Sequence, residues 1–161
     1  MSADLQIFAE KTIDDAENQI FEIKYNESDG YYSITNTTMK ATFDVKGAKT
    51  ANSTGVQVYP EHNGCNQDWL LEKDSEGYFV IISRCSSRVL DAAPSGRIVI
   101  FDNHGGDNQK WKLMEATNTK TEAKKEEKKE ETKEEKKDNS VIEEGTYQFV
   151  SKAYSDKVID I

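Results

Sequence analysis

An all-β, pseudo-threefold domain is predicted by three observations. The pattern Asn-Gln-x-aromatic occurs three times, as Asn18-Gln19-Ile20-Phe21, Asn66-Gln67-Asp68-Trp69 and Asn108-Gln109-Lys110-Trp111. Each copy follows a β-rich stretch that ends in an aromatic: Leu5-Gln6-Ile7-Phe8, Val56-Gln57-Val58-Tyr59 and Ile98-Val99-Ile100-Phe101. Each is also followed by an apolar residue at strand spacing, Ile23, Leu71 or Leu113. Self-similarity of this kind specifies the architecture before any local element is assigned.

The second and third repeats read element by element. Gly30-Tyr31-Tyr32-Ser33-Ile34 and Gly77-Tyr78-Phe79-Val80-Ile81-Ile82 open them, each a β-run after a glycine turn. Ala41-Thr42-Phe43-Asp44-Val45 and Arg88-Val89-Leu90-Asp91-Ala92 follow as short strands carrying an aspartate. A Gly- or Pro-containing loop leads to the aromatic-ended strand, and a Gly/Asn turn leads to the Asn-Gln-x-Trp strand. Four short strands per repeat imply a closed all-β form.

The first repeat shows only its second half near the N-terminus. Gly145-Thr146-Tyr147-Gln148-Phe149-Val150 and Lys157-Val158-Ile159-Asp160-Ile161 supply the matching opening and aspartate strands at the other end. Gly30 to Gly77 is 47 residues, and Gly145 to Gly30, counted through joined ends, is 46. The chain therefore reads as circularly permuted, or as cut from a tandem array. Residues 1–115 hold half of lobe one and all of lobes two and three, and residues 143–161 hold the rest of lobe one. Between them, 116–142 is a charged linker, expected to be flexible or partly helical. Completion within one chain is expected, and the alternative is that the C-terminal segment completes a neighbouring chain, giving domain-swapped self-association.

Composition excludes several functions. Lys120–Lys137 contains eight Lys and seven Glu, and removing these from the chain's 21 basic and 30 acidic residues leaves 13 and 23. A folded part with about ten net negative charges disfavours nucleic acid and anionic membranes, whose binding rests on clustered Lys and Arg. No apolar run approaches the roughly 20 residues of a membrane span. No His/Cys cluster has metal-ligand spacing, and no cofactor motif is present. Cys65 and Cys85 lie in different repeats, so two free thiols are expected. Asn-x-Ser/Thr sites stand at Asn26, Asn36 and Asn52. A native start at Met1 would imply a cytoplasmic protein, and a slice of a secreted protein an extracellular one.

With Leu-Asp and Val-Gln-x-Tyr preceding its Asn-Gln-x-Trp copies, the sequence resembles the ricin-B-type lectins over residues 1–115 and 143–161. It departs from their pattern at Phe21, which replaces Trp, and in lacking a cysteine directly before Leu-Asp. The resemblance implies a β-trefoil of three four-stranded lobes that binds glycans or glycoproteins without catalysis, through galactose-type or related sugars. A sugar offers an apolar C–H face and a rim of hydroxyls, which suit an exposed aromatic and a few polar groups. A carboxylate accepts from two hydroxyls, and an amide both donates and accepts. The roles implied are Asp44, Tyr59 and Asn66 in lobe two, and Asp91, Phe101 and Asn108 with nearby His104 in lobe three. Lobe one would use Asp160, Phe8 and Asn18.

Each of these residues has an alternative reading. The aromatics can be buried strand ends, and an aspartate at a strand end can cap a turn. Gln19, Gln67 and Gln109 are expected to bond backbone groups, and Trp69, Trp111 and Phe21 to lie in the core. The coincidence of aspartate, aromatic and Asn in one lobe favours sugar binding. A β-trefoil that keeps the scaffold and uses its loops for protein contacts is the rival function. An enzyme ranks third, because no nucleophile–base set or phosphate loop is evident.

Overall fold

The computed structural model describes residues 1–11, 16–116 and 142–161, and the charged linker expected at 116–142 lies almost entirely outside them. The described residues contain β-strands and short 3-10 turns, with no α-helix. In chain order the strands are β1 (Ala3–Asp4), β2 (Gln6–Ala9), β3 (Phe21–Asn26), β4 (Tyr31–Asn36), β5 (Ala41–Val45), β6 (Thr54–Tyr59) and β7 (Trp69–Lys73). They continue with β8 (Phe79–Ser83), β9 (Val89–Ala92), β10 (Ile98–Phe101), β11 (Trp111–Glu115), β12 (Gly145–Ser151) and β13 (Lys157–Asp160).

Antiparallel pairings run β3–β4, β4–β7, β7–β8, β8–β11, β11–β12 and β12–β3, so six strands close on themselves as a barrel. Closure removes the unpaired edges that an open sheet would expose. Three outer pairs, β5–β6, β9–β10 and β13–β2, stand outside this ring. The third joins the two ends of the chain in space, with Asp160 opposite Gln6. The architecture is a β-trefoil, barrel plus outer strands.

Local chemistry sets the turns. Gly30 has φ +80° and Gly77 φ +89°, the left-handed conformation a side chain disfavours. Gly30 N–H donates to Asn26 O at 2.8 Å, and Gly77 N–H to Asp74 O at 3.1 Å. Along β4, Tyr32, Ile34 and Asn36 are buried while the intervening residues are partly exposed, the period-two pattern of a strand with one face inward. Asn36, one of the three sequon asparagines, is thus a structural residue. Its Nδ2 donates to Glu17 O and Ile20 O, and its Oδ1 accepts from Thr38 N and Met39 N.

Trp69, Trp111 and Phe21 begin β7, β11 and β3 and are fully buried, as the repeat predicts. Phe43 links two of them: its ring centroid lies 5.0 Å from Phe21 and 6.4 Å from Trp69, both edge-to-face. Each indole N–H also donates to the carbonyl just before a repeat aspartate, Trp69 to Phe43 O and Trp111 to Leu90 O, both at 3.2 Å. Phe21 fills the same place without a donor.

The cysteines correct the sequence reading. Cys65 and Cys85 form a disulfide, with Cα atoms 5.2 Å apart. Separate repeats did not keep them apart, because β7 and β8 pair across the repeat boundary with Trp69 opposite Ser83. That register carries the flanking segments together, and Arg84 N–H donates to Asp68 O at 3.0 Å.

Trp69→Ala and Trp111→Ala should each destabilise by about 3–5 kcal/mol. That is a large part of the roughly 5–15 kcal/mol that holds a domain folded. An unchanged melting temperature for both would show that these side chains do not carry the core. Replacing both cysteines by serine should lower the free energy of unfolding by about 3 kcal/mol, since the bridge closes a loop with a sequence separation of 20. Urea titration of the oxidised parent and the double variant measures the difference.

Candidate carbohydrate-binding sites

A single hydrogen-bond device recurs on the three outer strand pairs. The glutamine of each Asn-Gln-x-aromatic copy bonds forward and back around the strand end. Gln67 Nε2 donates to Pro60 O at 3.0 Å and to Asp44 Oδ2 at 2.9 Å, while its Oε1 accepts from His62 N. Gln109 repeats this with Asp102 O, Asp91 Oδ2 and His104 N, at 2.9, 2.9 and 3.0 Å. Gln19 does so with Ala9 O, Asp160 Oδ2 and Lys11 N, at 3.0, 2.7 and 2.9 Å. Backbone bonding by the glutamines was expected from the sequence; their grip on the aspartates was not.

The sequence reading left open whether the aspartates face a ligand or cap a turn. They are buried, with residue exposures of 2% for Asp44, 4% for Asp91 and 3% for Asp160. A carboxylate so placed needs donors. Asp44 Oδ2 accepts from Asn66 Nδ2 at 2.8 Å and from Gln67, and lies 3.0 Å from His62 Nε2; its Oδ1 accepts from Gln57 at 3.2 Å. Asp91 Oδ2 takes Gln109 and lies 3.5 Å from His104 Nε2, and its Oδ1 has no donor among the described residues. Val99 stands where Gln57 stands in the other repeat, which is why that oxygen is left open. Asp160 Oδ2 takes Gln19 and the Lys11 ammonium, at 2.7 and 2.8 Å.

The aromatics stand outward. Phe8 and Tyr59 are among the exposed large hydrophobic residues, and Phe101 is half-buried. Each is followed three residues later by a side chain aimed at the aspartate. His62 lies 6.0 Å from the Tyr59 ring and His104 6.1 Å from the Phe101 ring, both edge-to-face, and Lys11 Nζ sits 5.6 Å over Phe8. Lys11, His62 and Gln57 were missed as site residues, although the aromatic-x-x-His spacing of Tyr59/His62 and Phe101/His104 could have marked the two histidines.

Room for these side chains comes from two glycines without positive φ. A Cβ on Gly64 would stand 2.5 Å from both Asn66 Oδ1 and His62 Cε1, and one on Gly106 2.7 Å from Asn108 Oδ1 and 2.6 Å from His104 Cε1. Two cavities result. One, of about 370 Å³, is lined by Asp44, Gly47, Tyr59, His62 and Asn66. The other, of about 440 Å³, is lined by Asp91, Pro94, Val99, Phe101, His104 and Asn108. The structure thus gathers each predicted trio of lobes two and three around one cavity. At Asp160 it brings together Lys11 and Gln19 and leaves Asn18 exposed, with no bond to the carboxylate. Among the described residues, no group of three or more His, Cys, Asp or Glu could hold a metal ion.

Residues 17–101, just over half of the chain, match the ricin-type β-trefoil lectin domain-like family model. The chain belongs to that family. Such lectin-like domains are in general non-catalytic, and their fold suggests carbohydrate binding. Among solved structures, the designed threefold-symmetric protein ThreeFoil is 28% identical with a TM-score of 0.54, over 57% of this chain and 69% of that one. A Polyporus squamosus lectin bound to a sialylated epitope is 18% identical with a TM-score of 0.55, over 68% and 46%. An exo-β-1,3-galactanase from Clostridium thermocellum is 22% identical with a TM-score of 0.53, over 68% and 29%, so this lectin-like domain spans less than a third of that enzyme chain. No curated protein matches the chain.

Asp44→Ala should destabilise the fold more than Asp91→Ala. It strands four side-chain donors (Gln57, His62, Asn66 and Gln67) where Asp91→Ala strands Gln109 and the more distant His104. The buried donors among them, Asn66 and Gln67 against Gln109 alone, cost about 1–3 kcal/mol each, and the exposed histidines and partly exposed Gln57 less. Equal midpoints for the two variants in urea would contradict this accounting.

Proposed function

We propose that the chain is a non-catalytic carbohydrate-binding module for galactose-type or related sugars, with the Asp91 cavity as its principal site. The observation that carries this reading is the unsatisfied polar capacity there. Among the described residues Asp91 Oδ1 has no protein donor, and Asn108 Nδ2 makes only a long 3.4 Å bond to Ala92 O. A sugar ring laid against Phe101 would offer hydroxyls to both groups. At the Asp44 cavity the protein already fills these roles, because Asn66 Nδ2 donates to Asp44 and to Val45 O and Gln57 holds the second carboxylate oxygen. Tyr59 is nonetheless exposed there, so we assign that cavity a weaker site. The Asp160 position, with Phe8 and Lys11, is the third.

Shallow single sites bind weakly, and useful affinity on a glycan-bearing surface would come from several sites engaged together. The competing function is a trefoil whose loops contact proteins with no sugar involved, since a fold alone does not assign a function.

A glycan array with inhibition by free sugar separates the two, and a scaffold protein would give no sugar-inhibitable signal. For a monovalent galactoside, Phe101→Ala and Asn108→Ala should each weaken binding about tenfold or more, since a lost contact to a placed polar or aromatic group costs about 1–3 kcal/mol. Tyr59→Ala should cost less. Heteronuclear NMR titration reads both sites at once, and shifts confined to residues away from the two cavities would dismiss the assignment.

A further inference from the structure

The chain has three arginines, at 84, 88 and 97. Arg84 is ion-paired with Asp29 and Asp68, at 3.2 and 2.8 Å. Arg88 is paired with Asp102 at 3.2 Å and donates to Asn52 Oδ1 at 2.6 Å. Arg97 is exposed, and its guanidinium has no ionic or hydrogen-bonding partner among the described residues. It forms part of the wall of the Asp91 cavity.

Its position is also accommodated by its neighbour. Gly55, on the adjacent β6, has no positive φ, yet a Cβ there would stand 3.2 Å from Arg97 Nη2. The glycine gives the guanidinium room to lie across the strand. Counted from the aromatic-ended strands, Arg97, Gly55 and Asp4 are equivalent residues, each just before Ile98, Val56 and Leu5. Only the Asp91 site therefore carries a cation at this place. The nearby Lys46 ammonium is already paired with Asp4.

We infer that Arg97 extends the Asp91 site to glycans bearing an anionic substituent, a carboxylate or a sulfate, next to the sugar seated at Asp91. This rests on the carbohydrate-binding reading above. A guanidinium presents a planar fork of donors that matches either anion. Asp91 and Arg97 are not within ion-pairing distance of each other, so their charges act at different places on one ligand. The carboxylate at the floor requires a neutral ring with hydroxyls, and the cation in the wall favours charge on the neighbouring unit. In a chain of net charge −9, an uncompensated cation beside a cavity is a local exception to the field of the surface.

The test uses the full chain and three probes: a neutral β-galactoside, the same galactoside extended by a sialic acid, and the same galactoside carrying a sulfate. Calorimetric titration at low and high salt compares the parent with Arg97→Gln. The parent should bind at least one charged probe roughly three- to tenfold more tightly than the neutral one. That advantage, taken in each protein relative to its own binding of the neutral probe, should shrink with salt and vanish in Arg97→Gln. Preference for one charged probe alone identifies the anion. Equal binding of all three by the parent, or an advantage that survives in Arg97→Gln, overturns the inference and leaves the sugar site standing. Failure of every probe to bind removes the carbohydrate reading itself.

Discussion

A buried carboxylate on each outer strand pair is the constraint around which the rest is arranged. Charge taken out of water must be met by donors, and one glutamine per repeat provides them. The same amide also bonds the carbonyl just beyond the exposed aromatic and the N–H two residues later. One side chain thereby joins the strand end, the turn after it and the 3-10 turn that feeds the barrel. One residue before each of Asp44 and Asp91, a carbonyl accepts the indole N–H of Trp69 or Trp111. Core and site are consecutive links of one chain of contacts, so the placement of the site follows from the packing of the barrel.

On that common frame the three positions differ in how much hydrogen-bonding capacity the protein uses itself. Gln57 completes Asp44, whereas Val99 at the equivalent place leaves an oxygen of Asp91 open. Lys11 brings a formal positive charge to Asp160 where the other two positions have histidine. Nothing in the fold requires these differences, since all three strand pairs close equally well. They are changes in polar accounting laid over one repeated geometry, and function is decided by such changes rather than by the fold.

The barrel and its core were legible because they depend on periodicity. Inward residues recur every second position, the aromatic heads of β3, β7 and β11 recur with the repeat, and both patterns survive in a bare sequence. The aspartate, aromatic and Asn of lobes two and three were legible for the same reason, being tied to strand ends. What escaped depends on register across repeats or on side-chain reach. Cys65 and Cys85 meet because β7 pairs with β8, a fact about neighbours in space. Gln57 and Val99 look alike as outward strand residues, and only the distance to the carboxylate makes one a donor. Asn18 fits the motif but sits in an exposed turn, so matching letters there do not bring matching contacts.

The seams between repeats carry the same lesson into energetics. Each 3-10 turn that holds a clamping glutamine is fastened to the following part of the barrel, by a different chemistry at each seam. The turn at Cys65–Gln67 is held by the disulfide to Cys85. The turn at Asp107–Gln109 is held by the Lys152 ammonium, 3.3 Å from Asp107, and by Ala153 N–H donating to Asp107 O at 3.1 Å. The turn at Glu17–Gln19 is held by the Asn36 amide, which donates to Glu17 O at 3.1 Å. A covalent bond, an ion pair and a neutral amide answer to different conditions: the first to reductant, the second to ionic strength, the third to neither. Each seam sits next to its own clamp, and each clamp sets its own aspartate. The three positions thus differ in the contact that distinguishes each seam, even though one barrel supports them all.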